Sequence, residues 1–358
     1  GGGCVTGETT SGTKRRFRLR RGTLGKDVPA GVVLGVESVP DGLAGGLLAG
    51  VNPIYGLYGY LFGTLFGAVA TSSAFMAVQA TGAMAVVVSD IDQVQGDTPE
   101  AATALFALAV LTGVVMLGLG LARMGWIVRW VPNAVLTGFI NAVAVNIVLG
   151  QLDNFTGYAS EGANRVARAV DTVVNAPEFV WSAVLVGTVT IALIVVLERT
   201  RLGALGMVVA IVAGSALVVA GDMTDVAQLR DITDVPRGLP VPQLPSLGLV
   251  ASLIIPALSL AFVGLVQGAA ISSSVPNPDG QYPDASGDFR GQGVANIGAG
   301  IFQGMPVGGS MSATSIVTSA GARSRVALLV AAATMIAAIL LFADLVGYIA
   351  MPALACLL

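Results

Sequence analysis

Gly304-Met305-Pro306-Val307-Gly308-Gly309-Ser310-Met311-Ser312-Ala313-Thr314 lies deep in an almost uniformly apolar chain, yet it cannot form an ordinary membrane helix. Pro306 donates no backbone N–H, and Gly308 and Gly309 add freedom where a helix needs restraint. Ser310 and Ser312 then precede an apolar run from Ile316 onward, as capping hydroxyls precede a helix. The stretch therefore predicts an extended segment followed by a half-helix that begins inside the membrane. Backbone groups broken open at that depth are tolerated only where they line a protein cavity. The positive end of such a half-helix suits an anion.

The composition sets the class. Of 358 residues 54% are hydrophobic and 11% charged, against roughly 25% charged in a soluble domain. This predicts an all-α polytopic membrane protein whose main partner is the lipid bilayer. No linker or charged block divides the chain. Its 47 glycines suit close packing of membrane helices. There is no histidine, which excludes histidine-ligated haem or zinc and any histidine proton relay. Cys4 and Cys356 stand at opposite ends and offer no metal spacing. No catalytic constellation emerges, so the expectation is neither an enzyme nor a metalloprotein.

Lys14, Arg15, Arg16, Arg18, Arg20 and Arg21 precede the first apolar run. Beside a membrane span they predict a cytoplasmic anchor and not a nucleic-acid patch. Residues 1–26 are expected to be a disordered, basic, cytoplasmic N-terminus. Twelve spans follow, near 28–49, 53–70, 75–89, 101–122, 130–150, 178–197, 203–220, 247–273, 291–304, 304–321, 325–342 and from 345. Arg123 and Arg129, Arg199 and Arg201, and Arg323 and Arg325 follow even spans, as a cytoplasmic N-terminus in the cell (inner) membrane requires. The acidic loop 276–290 runs against that pattern. Since the chain lacks an initial methionine and ends in an apolar run at Leu358, a fragment of a longer protein is expected.

Span three repeats the opening pattern: Gln79, Thr81 and Gly82, then the apolar Ala85-Val86-Val87-Val88. Interrupted spans three and ten, seven apart, predict a seven-plus-seven inverted repeat, cut short after about span twelve, with a substrate site between the broken spans. The expected substrate-binding residues are Gln79, Thr81 and Gly82 together with Gly309, Ser310, Met311 and Ser312. Glu37 and Asp41 flank Pro40 in span one. An intramembrane carboxylate costs about 2.5–3.5 kcal/mol on insertion scales, so both are coupling candidates, with H+ or Na+ as the coupling ion. Gln267, a polar insertion in span eight, joins them. Asn141 and Asn146 are expected to join helices.

Several stretches resemble the SulP family of anion permeases. They are Asp27-Val28-Pro29-Ala30-Gly31, Val39-Pro40, Leu47-Leu48-Ala49-Gly50-Val51-Asn52-Pro53-Ile54-Tyr55-Gly56-Leu57-Tyr58, Gln292-Gly293-Val294-Ala295-Asn296-Ile297 and Ser319-Ala320-Gly321-Ala322-Arg323-Ser324-Arg325. The resemblance spans about Asp27 to the end and implies the uracil-permease-like fold. A moving core would comprise spans at about 27–122 and 247–342, against a gate at about 126–220 and 345–358. It also implies a small inorganic anion such as sulfate or bicarbonate as substrate. The STAS domain common in relatives is absent from this chain, and a homodimer is left open. Where many relatives carry Gly-Pro-Thr, Ser-Arg-Thr and a span-eight carboxylate, this chain has Gln79-Ala80-Thr81, Ser312-Ala313-Thr314 and Gln267. These departures leave the helix N-termini as the main positive field. A permease for a nucleobase or carboxylate, and an anion channel or scaffold, are the alternatives.

Overall fold

A computed structural model describes residues 23–126, 133–162, 164–200, 202–233, 235–245 and 247–357. The basic cluster 14–21, Arg129 and Arg201 lie outside them. Among the described residues there are thirteen α-helices and one two-stranded sheet. The helices are α1 (Leu24–Leu48), α2 (Pro53–Ala70), α3 (Gly82–Ser89), α4 (Pro99–Leu121), α5 (Asn133–Thr156), α6 (Arg165–Val174), α7 (Trp181–Glu198), α8 (Leu205–Ala220), α9 (Val250–Ser274), α10 (Ala285–Ile301), α11 (Met311–Ser319), α12 (Val326–Gly347) and α13 (Met351–Ala355). Strand β1 is Ala77–Gln79 and β2 is Gly308–Ser310. Five of the helices, α1, α4, α7, α9 and α12, are long and apolar enough to cross a membrane.

Both interrupted spans are broken as their sequences predict, and each break is a short strand. β1 and β2 pair antiparallel, with Ala77 opposite Ser310, Val78 opposite Gly309 and Gln79 opposite Gly308. The ribbon satisfies backbone groups that lipid could not. It crosses α2 at a row of glycines. A Cβ on Gly63 would stand 2.6 Å from the Val78 carbonyl oxygen, and one on Gly59 would stand 3.1 Å from that of Met305. Only glycine allows that approach. The two half-helices leave the ribbon at its opposite ends, α3 beyond the Gln79–Gly308 pair and α11 beyond the Ala77–Ser310 pair.

Several boundaries differ from the expected ones, each for a physical reason. Helix α1 begins at Leu24, inside the segment expected to be disordered, and runs unbroken through Pro29 and Pro40. Its packing on α2 and α12 holds it together where proline removes a hydrogen bond. Helix α10 begins at Ala285, capped by Asp284, whose carboxylate accepts from Ser286 N and Gly287 N. Part of the acidic loop is therefore helix, and its charges are structural. Asp288, fully buried, accepts from the Ser72 hydroxyl (2.8 Å), Ser73 N (2.8 Å) and the Ser272 hydroxyl (2.6 Å). The division between the last two spans is a kink at Phe342 (φ −123°, ψ 16°) within α12, not a break. Asn146 bonds its own helix, through the Ala142 carbonyl oxygen, and its side chain joins no other helix among the described residues.

The family-like stretches turn out to be joints. Asp27, fully buried, accepts from Arg323 N (2.6 Å), Ser324 N (3.0 Å) and the Ser324 hydroxyl (2.7 Å), tying the start of α1 to the turn before α12. Arg325 donates to the carbonyl oxygens of Ala68 (3.2 Å) and Thr71 (3.4 Å) at the C-terminal end of α2, where a cation suits the helix dipole. One large apolar cluster unites α1, α2, α3, α4, α9, α10 and α12 and takes in Met351 and Leu354 of α13, whereas Ala183, Val186, Ile211, Val218 and Ala353 bind α7, α8 and the other side of α13 into another.

Candidate functional site

The first turns of α3 and α11 are built alike. Thr81 caps α3, its hydroxyl accepting from Met84 N at 3.3 Å, and Ser310 caps α11, accepting from Ala313 N at 3.3 Å. A helix offers no partner of its own to the N–H groups of its first turn. With the third N–H taken by each cap, those of Gly82 and Ala83 on one side and Met311 and Ser312 on the other remain for a ligand. Thr81 and Gly82 are partly exposed and Met311 and Ser312 exposed, although they belong to spans otherwise largely buried.

Gln267 stands at the first turn of α3, beside the start of β2. Its Oε1 accepts from the Thr81 hydroxyl at 3.0 Å and would lie 3.3 Å from a Cβ on Gly308. Among the described residues it is the coupling candidate that bonds the cap of α3 directly. Helix α5 covers the other side: a Cβ on Gly82 would meet Ile147 Cδ1 at 2.7 Å.

Two expected ligand residues serve the scaffold instead. Gly309 is buried, and its N–H donates to Gln292 Oε1 at 3.1 Å, so it has no N–H to offer an anion. Gln79 is fully buried, and its Nε2 donates to the hydroxyls of Ser38 (2.9 Å) and Thr64 (3.3 Å). Gln79 Oε1 and Gln292 Nε2 are buried with no hydrogen-bond partner among the described residues. The Ser310 hydroxyl lies 3.2 Å from that of Ser312, linking cap and first turn.

Because α1 is continuous, Glu37 and Asp41 share a face one turn apart. The Tyr60 hydroxyl donates to Asp41 Oδ2 at 2.6 Å. Glu37 is 4% exposed and makes no hydrogen bond or ion pair among the described residues. Further along that face, a Cβ on Gly45 would touch the Ala80 carbonyl oxygen at 3.5 Å, beside the start of α3.

Sequence reasoning missed the residues that hold the ribbon in place. Asn296 and Gln292 point from α10 into β2, fully buried, one turn after Asp288 and one turn apart. That i, i+4, i+8 spacing of polar side chains in a glycine-rich span was the available signal. Thr314 adds a further tie: its hydroxyl accepts from Ala77 N at 3.2 Å and donates to the Ser310 carbonyl oxygen at 2.6 Å.

This arrangement has counterparts among known proteins. A model of the sulfate permease family matches residues 24–358. YbaR of Bacillus subtilis (strain 168), named for sulfate transport, is 30% identical over 340 residues, covering 93% of this chain and 65% of YbaR. The chain thus spans less than two thirds of that relative's length. The transmembrane domain of a cyanobacterial bicarbonate transporter, BicA, superposes with a TM-score of 0.83 at 24% identity, covering 96% of this chain and 88% of that one. The structure of SLC26A9 does so with a TM-score of 0.84 at 21% identity, covering 94% and 57%. The fold is the seven-plus-seven inverted repeat, of which the described residues include both broken spans.

Proposed function

The chain belongs to the sulfate permease family, and from that premise we propose that it is a secondary transporter carrying a small inorganic anion, such as sulfate or bicarbonate, across a membrane by alternating access. One observation carries this reading: two N-capped half-helices, joined by the β1–β2 ribbon, leave the N–H groups of Gly82, Ala83, Met311 and Ser312 without helical partners beside Gln267. Anion oxygens would accept from those groups, and the Ser312 hydroxyl would add a donor. Both termini contribute partial positive charge at a depth where low dielectric strengthens it. With no cation among these residues, binding depends on aimed dipoles, which suits an ion that must also leave.

Helices α1–α4 and α9–α12, with the ribbon, would form the moving core, and α5, α7, α8 and α13 the gate. The separate apolar cluster that joins α7 to α8 supports that division. Glu37, buried on the α1 face that leads toward Ala80, is the coupling group for H+ or Na+, with Asp41 beside it. No other cofactor is needed. The N-terminus would face the cytoplasm in the inner membrane.

Flux of labelled sulfate and bicarbonate into proteoliposomes containing the full-length protein, with other anions and uracil as competitors, tests this reading. Saturable uptake competed by small anions supports it. Uptake competed only by uracil, or none of any anion, overturns it.

A further inference from the structure

Arg165 opens α6, a helix absent from the sequence reading. Its N-terminus is capped by Asn164, which accepts from Ala167 N at 2.9 Å. The Arg165 guanidinium reaches three other helices. Nη1 donates to the Asn146 carbonyl oxygen of α5 at 2.9 Å, while Nη2 donates to the Leu48 carbonyl oxygen of α1 at 3.2 Å and to the Ser89 hydroxyl of α3. Leu48 and Ser89 are the last residues of their helices, where partial negative charge favours a cation. Burial pulls the Arg165 pKa below its ordinary value, Asp90 nearby pulls it up, and Arg168 pulls it down. Arginine keeps its charge throughout.

The ties are unequal. Arg168, one turn later, pairs with Asp153 at the end of α5 and with the Ser160 hydroxyl (3.2 Å). Helix α6 therefore stays with α5 if Arg165 lets go, whereas among the described residues its hydrogen bonds to α1 and α3 come from the Arg165 fork. Beside the fork lies a cavity of about 510 Å³, lined in part by Leu48, Ser89, Asp90, Gly150, Arg165 and Arg168. Ser89 ends the half-helix whose first turn faces the anion; at 1.5 Å per residue, about 12 Å of helix links the two ends.

We propose that Arg165 is a latch: it clasps the C-terminal ends of α1 and α3 to α5, closing the mouth on that side, and its release opens the crevice that leads to Gly82. This rests on the alternating-access reading above. Displacement of α3 with its anion would break the Ser89 and Leu48 bonds while the α5–α6 unit stayed whole. Arg165 is thus a positioning residue, acting on the site through the far end of α3.

Accessibility tests this without relying on flux. In the full chain, with Cys4 and Cys356 replaced by serine, Ile147→Cys reports on the crevice beside Gly82 through its modification by a membrane-impermeant thiol reagent in proteoliposomes. Arg165→Gln is expected to speed modification roughly tenfold, the effect of about one charge-assisted hydrogen bond. Arg165→Lys, which keeps the charge and loses the fork, should fall between, and Ser89→Ala should shift the rate the same way by less. Unchanged modification in Arg165→Gln overturns the latch; if that variant does not fold, unchanged modification in both Arg165→Lys and Ser89→Ala does so. Faster modification in a protein that carries no anion keeps the latch and discards the transport reading.

Discussion

Asn296 grips Val307 by both of its backbone groups: Asn296 Oδ1 accepts from Val307 N at 2.8 Å, and Nδ2 donates to the Val307 carbonyl oxygen at 2.6 Å. A side-chain amide thus takes the place of a neighbouring strand where the ribbon's own pairing has ended. Asn296→Ala would leave both groups buried and unmet, at about 1–3 kcal/mol each. The expected result is a marked drop in the melting temperature of the purified protein, with a smaller drop for Asn296→Asp, which keeps the acceptor. An unchanged melt for the alanine variant would contradict the clamp.

Gly63→Ala should abolish folded protein or transport, because its Cβ would lie 2.6 Å from the Val78 carbonyl oxygen, backbone against backbone. Gly118→Ala is the control. Nothing lies within 4 Å of its Cβ, and replacing a mid-helix glycine should gain about 0.5–1 kcal/mol. Size-exclusion profiles and flux of the two variants would decide between them, and equal behaviour would refute the close crossing.

Thr81→Val removes both the cap on Met84 N and the donor to Gln267. A lost cap costs about 1 kcal/mol, and freeing Gln267 should raise the apparent KM for the anion several-fold. Thr81→Ser should restore both. Equal KM values for valine and serine variants would show that the hydroxyl plays no part.

Glu37→Gln keeps the shape and removes the titratable group. Anion accumulation driven by a proton or sodium gradient should be lost, while exchange at equal concentrations continues. Gradient-driven uptake equal to that of the wild type would exclude Glu37 as the coupling group.

How much of this could be read from sequence follows from what each residue needs. The broken spans were legible because proline and glycine act locally: Pro306, Gly308 and Gly309 forbid a helix whatever surrounds them. The caps at Thr81 and Ser310 were legible in kind for the same reason. The ribbon was not, since its register joins residues more than 200 positions apart. Asp288 looked like a loop charge because its three partners come from Ser72, Ser73 and Ser272, brought together only by folding. Gly309 was assigned to the anion because nothing in the sequence shows that Gln292, 17 residues earlier, takes its N–H. Helix α6 was read as polar loop because its apolar residues Val166, Val170 and Val173 point outward while Arg165 turns inward and Arg168 pairs with Asp153.

The direct test of the anion site is a charge placed in it. Uptake of labelled sulfate and bicarbonate should be measured in proteoliposomes of the full-length protein for wild type, Ser312→Ala and Ser312→Asp. A carboxylate in the first turn of α11 would occupy the place of the anion and repel it, so Ser312→Asp should cut uptake by more than roughly tenfold, the effect of about 1.4 kcal/mol, while Ser312→Ala keeps most of it. If the aspartate variant carries anions as fast as wild type, the first turns of the half-helices are not where the anion binds.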